Sequence, residues 1–583
     1  MKSKFFLTCA ALAATATVSP AQLTLLSHFA ANQAGGSSAG EIAAFDKGTD
    51  RLFVTSSGSS VYRINVFNMA DPSSVTTHST IDFSTSFSGS AANMSGLSSV
   101  AVNSGKGFGV AALIPNSSSG VVGKVGFFNL STGANIGTLD VGYHPDSVSF
   151  SPDGAKLIVV NEAEFVPGGT NRPGSISVID VSSINSGNLA NLISLTPTTR
   201  DFSPGNLDTG VTLNGVRNSN VAAVGTSGAF ITTVPDFSTP ASGIENAIEP
   251  EYASVIGNKV YVSLQDNNAI AEYDLTTDKW TKVTNLGTIT QTIDANDTGG
   301  TISISQAIKG LPMPDSVATY TAGGKTYVVS ANEGDARVDD RDLSRFGDVA
   351  GNDSMNGIVD TDGPSNFLNS SANANNGVRA DAQLGRLNIS RLDGDTDADG
   401  KIDAPTMIGT RSMSIWEVTA GGLTRVYDTG SLFETYISLN DTAGWVDSRS
   451  DDKGPEPEGL TLGEIAGRTY AFIGMERTNG IFMLDVTDPA NVTMTGYHRI
   501  VVGNGAGSSG TPYRPESLSF VSAADSSNGQ NLLIVGFEGD GTNAVSEQIA
   551  VYSVVPEPSA AWLLGAVGLA AALRRRRAGR MAA

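Results

Sequence analysis

Carboxylates recur at two fixed places along this 583-residue sequence. Carboxylates gathered in one place are what a hard-cation site or metal-assisted chemistry needs. Glu41, Asp146, Glu251, Asp315, Glu458 and Glu516 each stand at the start of an apolar alternation. Glu162, Asp266, Glu333, Glu476 and Glu538 follow the next apolar run, often beside Asn161, Asn267, Asn332 or Arg477. Converging carboxylates without positive partners repel, so some must be protonated, hydrogen-bonded or bound to cations. Oxygen-only ligands favour Ca²⁺ or Mg²⁺. The competing reading at each single position is a carboxylate that caps turn amides, the role expected of Asp153 in "SPDG".

A second acidic stretch is "LDGDTDADGKIDAP". Asp395, Asp397, Asp399, Gly400 and Asp403 match loop positions one, three, five, six and nine of an EF-hand-type Ca²⁺ loop. Position twelve is Thr406 rather than a bidentate Glu, so a complete EF-hand is not expected. A register starting at Asp393 fits less well, because Ala398 then takes the Gly position. The expectation is a local Ca²⁺ clip; the alternative is a solvated acidic loop.

Catalytic signatures are few. The four histidines, His28, His78, His144 and His498, are dispersed, which argues against a His-rich zinc site. "GSSAG" at 36–40 fits G-x-S-x-G, but in a Ser/Gly-rich loop without α/β context. No P-loop or dinucleotide fingerprint occurs. The enzyme alternative is a metal-dependent phosphoester hydrolase of alkaline-phosphatase or phytase type at the clustered carboxylates, with Arg337, Arg341 and Arg477 offsetting substrate charge.

Elements that could gather these acids are legible as a repeat. Its clearest copy is "HPDSVSFSPDGAKLIVVNEAEF" (144–165) followed by "GSISVIDV". Further copies begin near Glu41, Leu97, Glu249, Pro314, Glu456 and Pro515, which makes seven. Period-2 alternation punctuated by Gly, Asp or Asn gives antiparallel meanders. Units that cannot bury both faces alone point to an all-β fold, a seven-bladed β-propeller of four-stranded blades, over a solenoid or sandwiches. The seventh copy runs out after three strands, and "LTLLSHF" (23–29) is expected to close it as the missing outer strand. The start of each first strand and the end of each second strand then emerge on one face, so most of two rings of acids surround one channel mouth. Two long stretches interrupt the repeat: residues 182–245 between the third and fourth units, and an insertion at 333–410 that splits the fifth.

The ends differ from the body. Lys2 and Lys4 precede an apolar run, and Ala21 offers a small residue for cleavage, so 1–21 reads as a secretory signal. The single Cys9 lies inside it, which leaves no cysteine for disulfides in the 22–554 body. At the other end, Pro556-Glu557-Pro558 precedes an apolar run from Ser559 to Leu573 and then four arginines. Fifteen residues are short for a span, yet the order of parts suits insertion with the arginines inside. Without both ends, 29 basic and 57 acidic residues remain. Such a body repels nucleic acid and attracts cations.

The 555–583 tail closely resembles the PEP-CTERM sorting signal of exopolysaccharide-producing bacteria. That resemblance implies export in a Gram-negative bacterium and transient membrane anchoring through the tail. It also implies cleavage near Pro-Glu-Pro by an exosortase-type peptidase, then release or surface attachment. The "PDSVSFSPDGAKLIVVNEAE" copy resembles the YVTN-type propeller repeat, and the body resembles the choice-of-anchor I family of secreted propellers. A surface or matrix protein with a binding role, extracellular polysaccharide or envelope components as partners, and Ca²⁺ as its ion is the expectation.

Overall fold

The structure is a computed structural model that describes residues 22–31, 38–58, 61–87, 91–116, 120–164, 171–218, 234–237, 243–335, 343–347, 378–500, 514–539 and 547–555. It is all-β and built from consecutive antiparallel meanders. The first comprises Ser38–Asp46, Arg51–Gly58, Val61–Asn68 and Thr76–Asp82. The second comprises Val100–Asn103, Phe108–Pro115, Lys124–Asn129 and Asn135–Asp140, with a short fifth strand, Met94–Gly96, on Phe108–Pro115. The third runs Pro145–Phe150, Lys156–Asn161, Ser175–Asp180 and Thr198–Asp201; the fourth Ala253–Ile256, Lys259–Leu264, Ala269–Asp274 and Lys279–Asn285. The fifth runs Val317–Ala322, Lys325–Asn332, Ser412–Thr419 and Gly422–Asp428; the sixth Pro457–Ile465, Arg468–Met475, Gly480–Asp485 and Thr493–Arg499. The last runs Pro515–Val521, Leu532–Phe537 and Gln548–Val555, and its outer strand is Gln22–Ala30 from the other end of the described chain.

The sequence dictates these meanders locally. In "SPDG", Asp153 accepts the Ala155 N–H at 3.0 Å and the Ser151 hydroxyl at 2.6 Å, while Gly154 takes φ 65°. This is the turn-capping role expected of Asp153. The following "KLIVVN" strand is buried nearly end to end. Its two faces serve different neighbours: Leu157 and Val159 join a cluster with Phe108, Val110 and Phe127 of the second sheet, whereas Ile158 and Val160 join Val260 and Val262 of the fourth. Burying one such side chain contributes about 1.5–3 kcal/mol. Comparable clusters fill every junction between consecutive sheets, including the junction of the last with the first around Ile534, Val551, Leu52 and Val54. The first strands touch their successors in cyclic order, and the last touches the first. That arrangement is a β-propeller.

Closure follows the expected route, with a ladder from Gln22↔Val555 to Ala30↔Gln548 broken by one bulge. Deleting Gln22–Ala30 should leave Gln548–Val555 as an open edge, and size-exclusion with light scattering should then show self-association. A stable monomer would show that the strand is dispensable.

One expectation needs correction, and two elements go beyond the sequence reading. The stretch 182–245 is not wholly an excursion, because Thr198–Asp201 is the outer strand of the third sheet and Phe202 stacks on Trp280 at 4.2 Å. An outer strand is half solvated, so "TTRD" carries no apolar alternation that would mark it. The fifth sheet is interrupted between Asn332 and Ser412, and the interrupting chain also recruits a segment that the repeat left unassigned. Ile289–Ile293 pairs with Gln306–Leu311, which pairs in parallel with Thr406–Ile408. A separate core around Ile293, Ile308, Phe346, Leu387, Ile402 and Met407 includes Val234 from the other interruption. A helix, Leu432–Asn440, follows the fifth sheet unannounced; its Glu434 meets Arg411 at 2.6 Å with both side chains buried.

Candidate cation-binding mouth

Five of the inner strands begin with, or follow within two residues, the same dipeptide type, Pro then acid: Pro145-Asp146, Pro250-Glu251, Pro314-Asp315, Pro457-Glu458 and Pro515-Glu516. In four of them the preceding residue is left-handed: His144 (φ 45°), Met313 (44°), Glu456 (53°) and Arg514 (61°). This conformation is costly for a side chain with a Cβ and survives only where the surroundings impose it. The surroundings here are a repeated backbone bond. The carbonyls of His144, Glu456 and Arg514 accept the N–H of Glu162, Glu476 and Glu538 at 2.9, 2.9 and 3.1 Å. Met313 accepts from Gly334 in the same way at 3.1 Å. The bond ties the acid that leads the first strand to the acid that follows the second.

Two further devices orient the acids. Register shifts fall between Pro145 and Ser147, Pro457 and Leu460, and Pro515 and Ser517, so Asp146, Glu458 and Glu516 sit in bulges that take them off the sheet's alternation. The asparagines beside three of the second-ring acids are buried pins: Asn161 and Asn332 precede Glu162 and Glu333, and Asn267 follows Asp266. Asn161 accepts from Gly142 N at 3.0 Å, Asn267 donates to Ala247 O at 2.7 Å, and Asn332 donates to Ser414 Oγ at 2.9 Å. With Asn161 and Asn332 turned inward, their successors Glu162 and Glu333 face the channel. Gly459 allows adjacent inner strands to close up: a Cβ there would lie 2.3 Å from the Glu516 carbonyl oxygen.

The outcome is one cavity of about 420 Å³. Asp146, Glu162, Glu251, Asp315 and Glu333 line it from the third to fifth sheets, and Glu458, Glu476, Glu516 and Glu538 from the sixth and last. Asp266 lies just behind, close enough for its charge to act on Glu251. Glu41 lies in the strand Ser38–Asp46, and its side chain falls outside the described residues. Tyr252, Gln265, Asp335 and Lys453 also line the cavity and were not picked out from sequence.

Charge is unevenly settled around this wall. Burial, with neighbouring carboxylates, pushes Glu251, Asp315 and Glu458 well above the usual carboxylate range, and Glu476 up to about 9. Glu458 Oε2 and Glu251 Oε2 are closed off from solvent without a hydrogen-bond partner. Glu456, one residue before the strand, behaves oppositely. It is fully buried, yet Lys453, Arg449 and Arg477 outweigh its burial and bring it down to about 2. Arg449 Nε and Arg477 Nε each donate to it at 2.9 Å. Sequence reading missed Glu456; the doubled "EPE" of 456–458 was the available signal. Glu333 accepts from Lys453 Nζ at 2.6 Å and Gln265 Nε2 at 2.9 Å. At the rim, His144 Nδ1 lies 2.9 Å from Glu162 Oε2. Burial opposes its charge, but Glu162, Glu164 and Asp146 raise its pKa to about 9. Glu333, Glu458 and Glu476 each offer an oxygen within 4.8 Å of the other two, which is ion-binding spacing.

The aspartate loop stands apart from the mouth. Asp395, Asp397 and Asp403 bring oxygens within 4.8 Å of one another, and Asp399 is not part of that group. Asp399 instead accepts the Lys401 N–H at 2.8 Å. Asp395 accepts from Ala398 N (2.7 Å) and Gly400 N (2.8 Å), and Asp403 from Thr396 N (2.7 Å). Asp393 is engaged by Arg217 at 2.9 Å, so the carboxylate that would open the other register already has a cation. Ile402 is buried in the insertion's core.

Ala21, Pro556, Glu557 and Pro558 lie outside the described residues, as do Arg337 and Arg341. Among the described residues no helix is long and apolar enough to cross a membrane.

Comparison with known proteins bears on family. Gigasin-3a of Magallana gigas is 28% identical over 205 residues, covering 31% of this chain and 70% of its own length. The mesenchyme-specific cell surface glycoprotein of Strongylocentrotus purpuratus is 28% identical over 232 residues, covering 34% of this chain but only 29% of its own. The β-propeller domain of Cps50 (Swd1) from Myceliophteria thermophila aligns with 92% of this chain and 100% of its own, at 7% identity and a TM-score of 0.41. The PEP-CTERM protein-sorting motif matches residues 554–577, which implies recognition by an exosortase-type system and an exported, surface-associated bacterial protein. The choice-of-anchor I domain matches residues 41–489, most of the sequence, and the chain belongs to that family.

Proposed function

We propose that this is a surface-associated seven-bladed propeller, with the segment 333–410 inserted in its fifth blade, whose acidic mouth binds divalent cations, calcium foremost. The ion-loaded face would engage matrix polysaccharide or envelope components, and the aspartate loop would hold a further Ca²⁺ that orders the insertion. One observation carries the reading: five consecutive sheets direct nine carboxylates at a single cavity that Asp335 also lines, and Glu251 and Glu458 each hold an oxygen there without a hydrogen-bond partner. An all-oxygen wall suits a hard ion. A body this acidic would also need a bridging cation to hold an anionic polymer. The phosphoester hydrolase alternative has less support, because Arg477 and Lys453 are paired with Glu456, Glu476 and Glu333.

Calorimetric titration of the chelator-treated exported protein with CaCl₂ and MgCl₂ tests both sites. Wild type should show mouth and loop binding. Glu458→Gln should lose mouth binding alone, and Asp397→Ala should lose one loop site alone. Unchanged stoichiometry in Glu458→Gln would refute the mouth, and in Asp397→Ala the loop.

A further inference from the structure

We propose that Lys453 is a tethered counter-ion of the mouth, which an incoming divalent cation must displace, so that this residue sets how tightly the mouth holds its ion. The inference rests on the reading of the mouth as a cation site. Three carboxylate oxygens within 4.8 Å of one another match the span of a single ion whose ligands stand at about 2.3–2.6 Å. One corner of that triangle is already taken. Lys453 Nζ lies 2.6 Å from Glu333 Oε1, and Gln265 holds the other Glu333 oxygen at 2.9 Å. A second corner is open, since Glu458 Oε2 has no hydrogen-bond partner and is shielded from solvent. The third corner, Glu476, is paired with Arg477 at 2.7 Å. The wall therefore holds two positive charges from its own chain, Lys453 and Arg477, and has carboxylates still unsatisfied.

Lys453 also has somewhere to go. It stands between the short turn of helix Asp447–Arg449 and the strand that starts at Pro457. Its Nζ is 3.5 Å from Glu456 Oε2, the buried carboxylate that Arg449 and Arg477 also contact. An ammonium that leaves Glu333 keeps an ion partner throughout, so the exchange strands no buried charge. The exchange still opposes binding, for two reasons. The tether keeps the lysine at high effective concentration beside Glu333. After displacement its charge remains close enough to repel the new ion across poorly hydrated protein. The mouth should accordingly bind Ca²⁺ more weakly than its count of carboxylates suggests, in the range of extracellular modules, about 10⁻⁴–10⁻³ M.

The test is Ca²⁺ titration of the exported protein carrying Asp397→Ala, so that only the mouth reports, with and without Lys453→Gln and Lys453→Arg. Lys453→Gln should tighten mouth binding roughly tenfold or more, which corresponds to at least about 1.4 kcal/mol. Lys453→Arg, which keeps the charge, should stay near the parent and shows that any change is not a folding effect. Binding in the parent that Lys453→Gln leaves equal or weakens overturns the counter-ion role while leaving the cation site standing. Absence of binding in parent and variants alike overturns both.

Discussion

Glu456→Gln is expected to reduce stability by about 3–5 kcal/mol, because it removes the fully buried anion that three cations share. Arg449 and Arg477 each donate to Glu456 at 2.9 Å and Lys453 lies 3.5 Å away. Glutamine keeps the shape and leaves those charges facing one another. The expected size agrees with the drop of the Glu456 pKa from 4.5 to about 2, worth on the order of 3 kcal/mol. Linkage gives the pH window. A depressed carboxylate contributes fully above about 4.5, and its contribution is lost as pH falls through about 2. Denaturant unfolding at pH 7 should therefore separate wild type from variant, and the gap should close toward pH 2. Equal midpoints at pH 7 would mean that the cations do not depend on Glu456.

Chelator-treated protein is expected to lose stability as pH rises from about 4.5 to 9, and calcium is expected to restore it progressively more at higher pH. Glu251, Asp315 and Glu458 are held well above their ordinary range and Glu476 at about 9, in each case first by burial. A carboxyl whose folded pKa is raised favours folding when protonated, fully so below its unfolded value. That contribution disappears as pH passes through the folded value. His144, raised to about 9, adds to the same trend, since its attraction to Glu162 is lost over pH 6.5 to 9. A bound cation replaces the missing protons, and at one hundred times its Kd it adds about 2.7 kcal/mol. Thermal melts at pH 5, 7 and 9, with chelator or with Ca²⁺, read this directly in the Asp397→Ala background. A calcium increment independent of pH would count against ion binding at these carboxylates.

The rings of acids were legible because each sits beside features that a single unit displays: a Pro, an alternation, an Asn. Asp146 and Glu162 needed only the knowledge that the first two strands pair. Lys453 and Glu456 were not legible, since their role depends on Glu333, more than a hundred positions earlier, and on Arg449 and Arg477 closing around one carboxylate. No local pattern distinguishes Glu456, which is buried among cations, from Glu458, which faces the cavity. The inner strands announced themselves by alternation, and the middle strands by apolar runs buried on both faces. Thr198–Asp201 and Ile289–Ile293 did not, because an outer strand and a side sheet bury too little for period 2 to rise above background. The aspartate loop was readable in its spacing, but the place of Asp399 outside the cluster follows from a backbone bond to Lys401 that spacing does not encode.

The ladder that closes the ring also has a mechanical consequence. The sorting motif begins at 554, inside the strand Gln548–Val555, so any pull on the tail reaches the body at Val555. That strand lies between Gln22–Ala30 and Leu532–Phe537 and is bonded antiparallel to both. Tension along its axis loads two rows of hydrogen bonds together in shear, where tension on an edge strand could peel one row bond by bond. A cell-surface tether attached there transmits drag into the ring as a whole, and the first described residue, Gln22, helps bear it through its pairing with Val555.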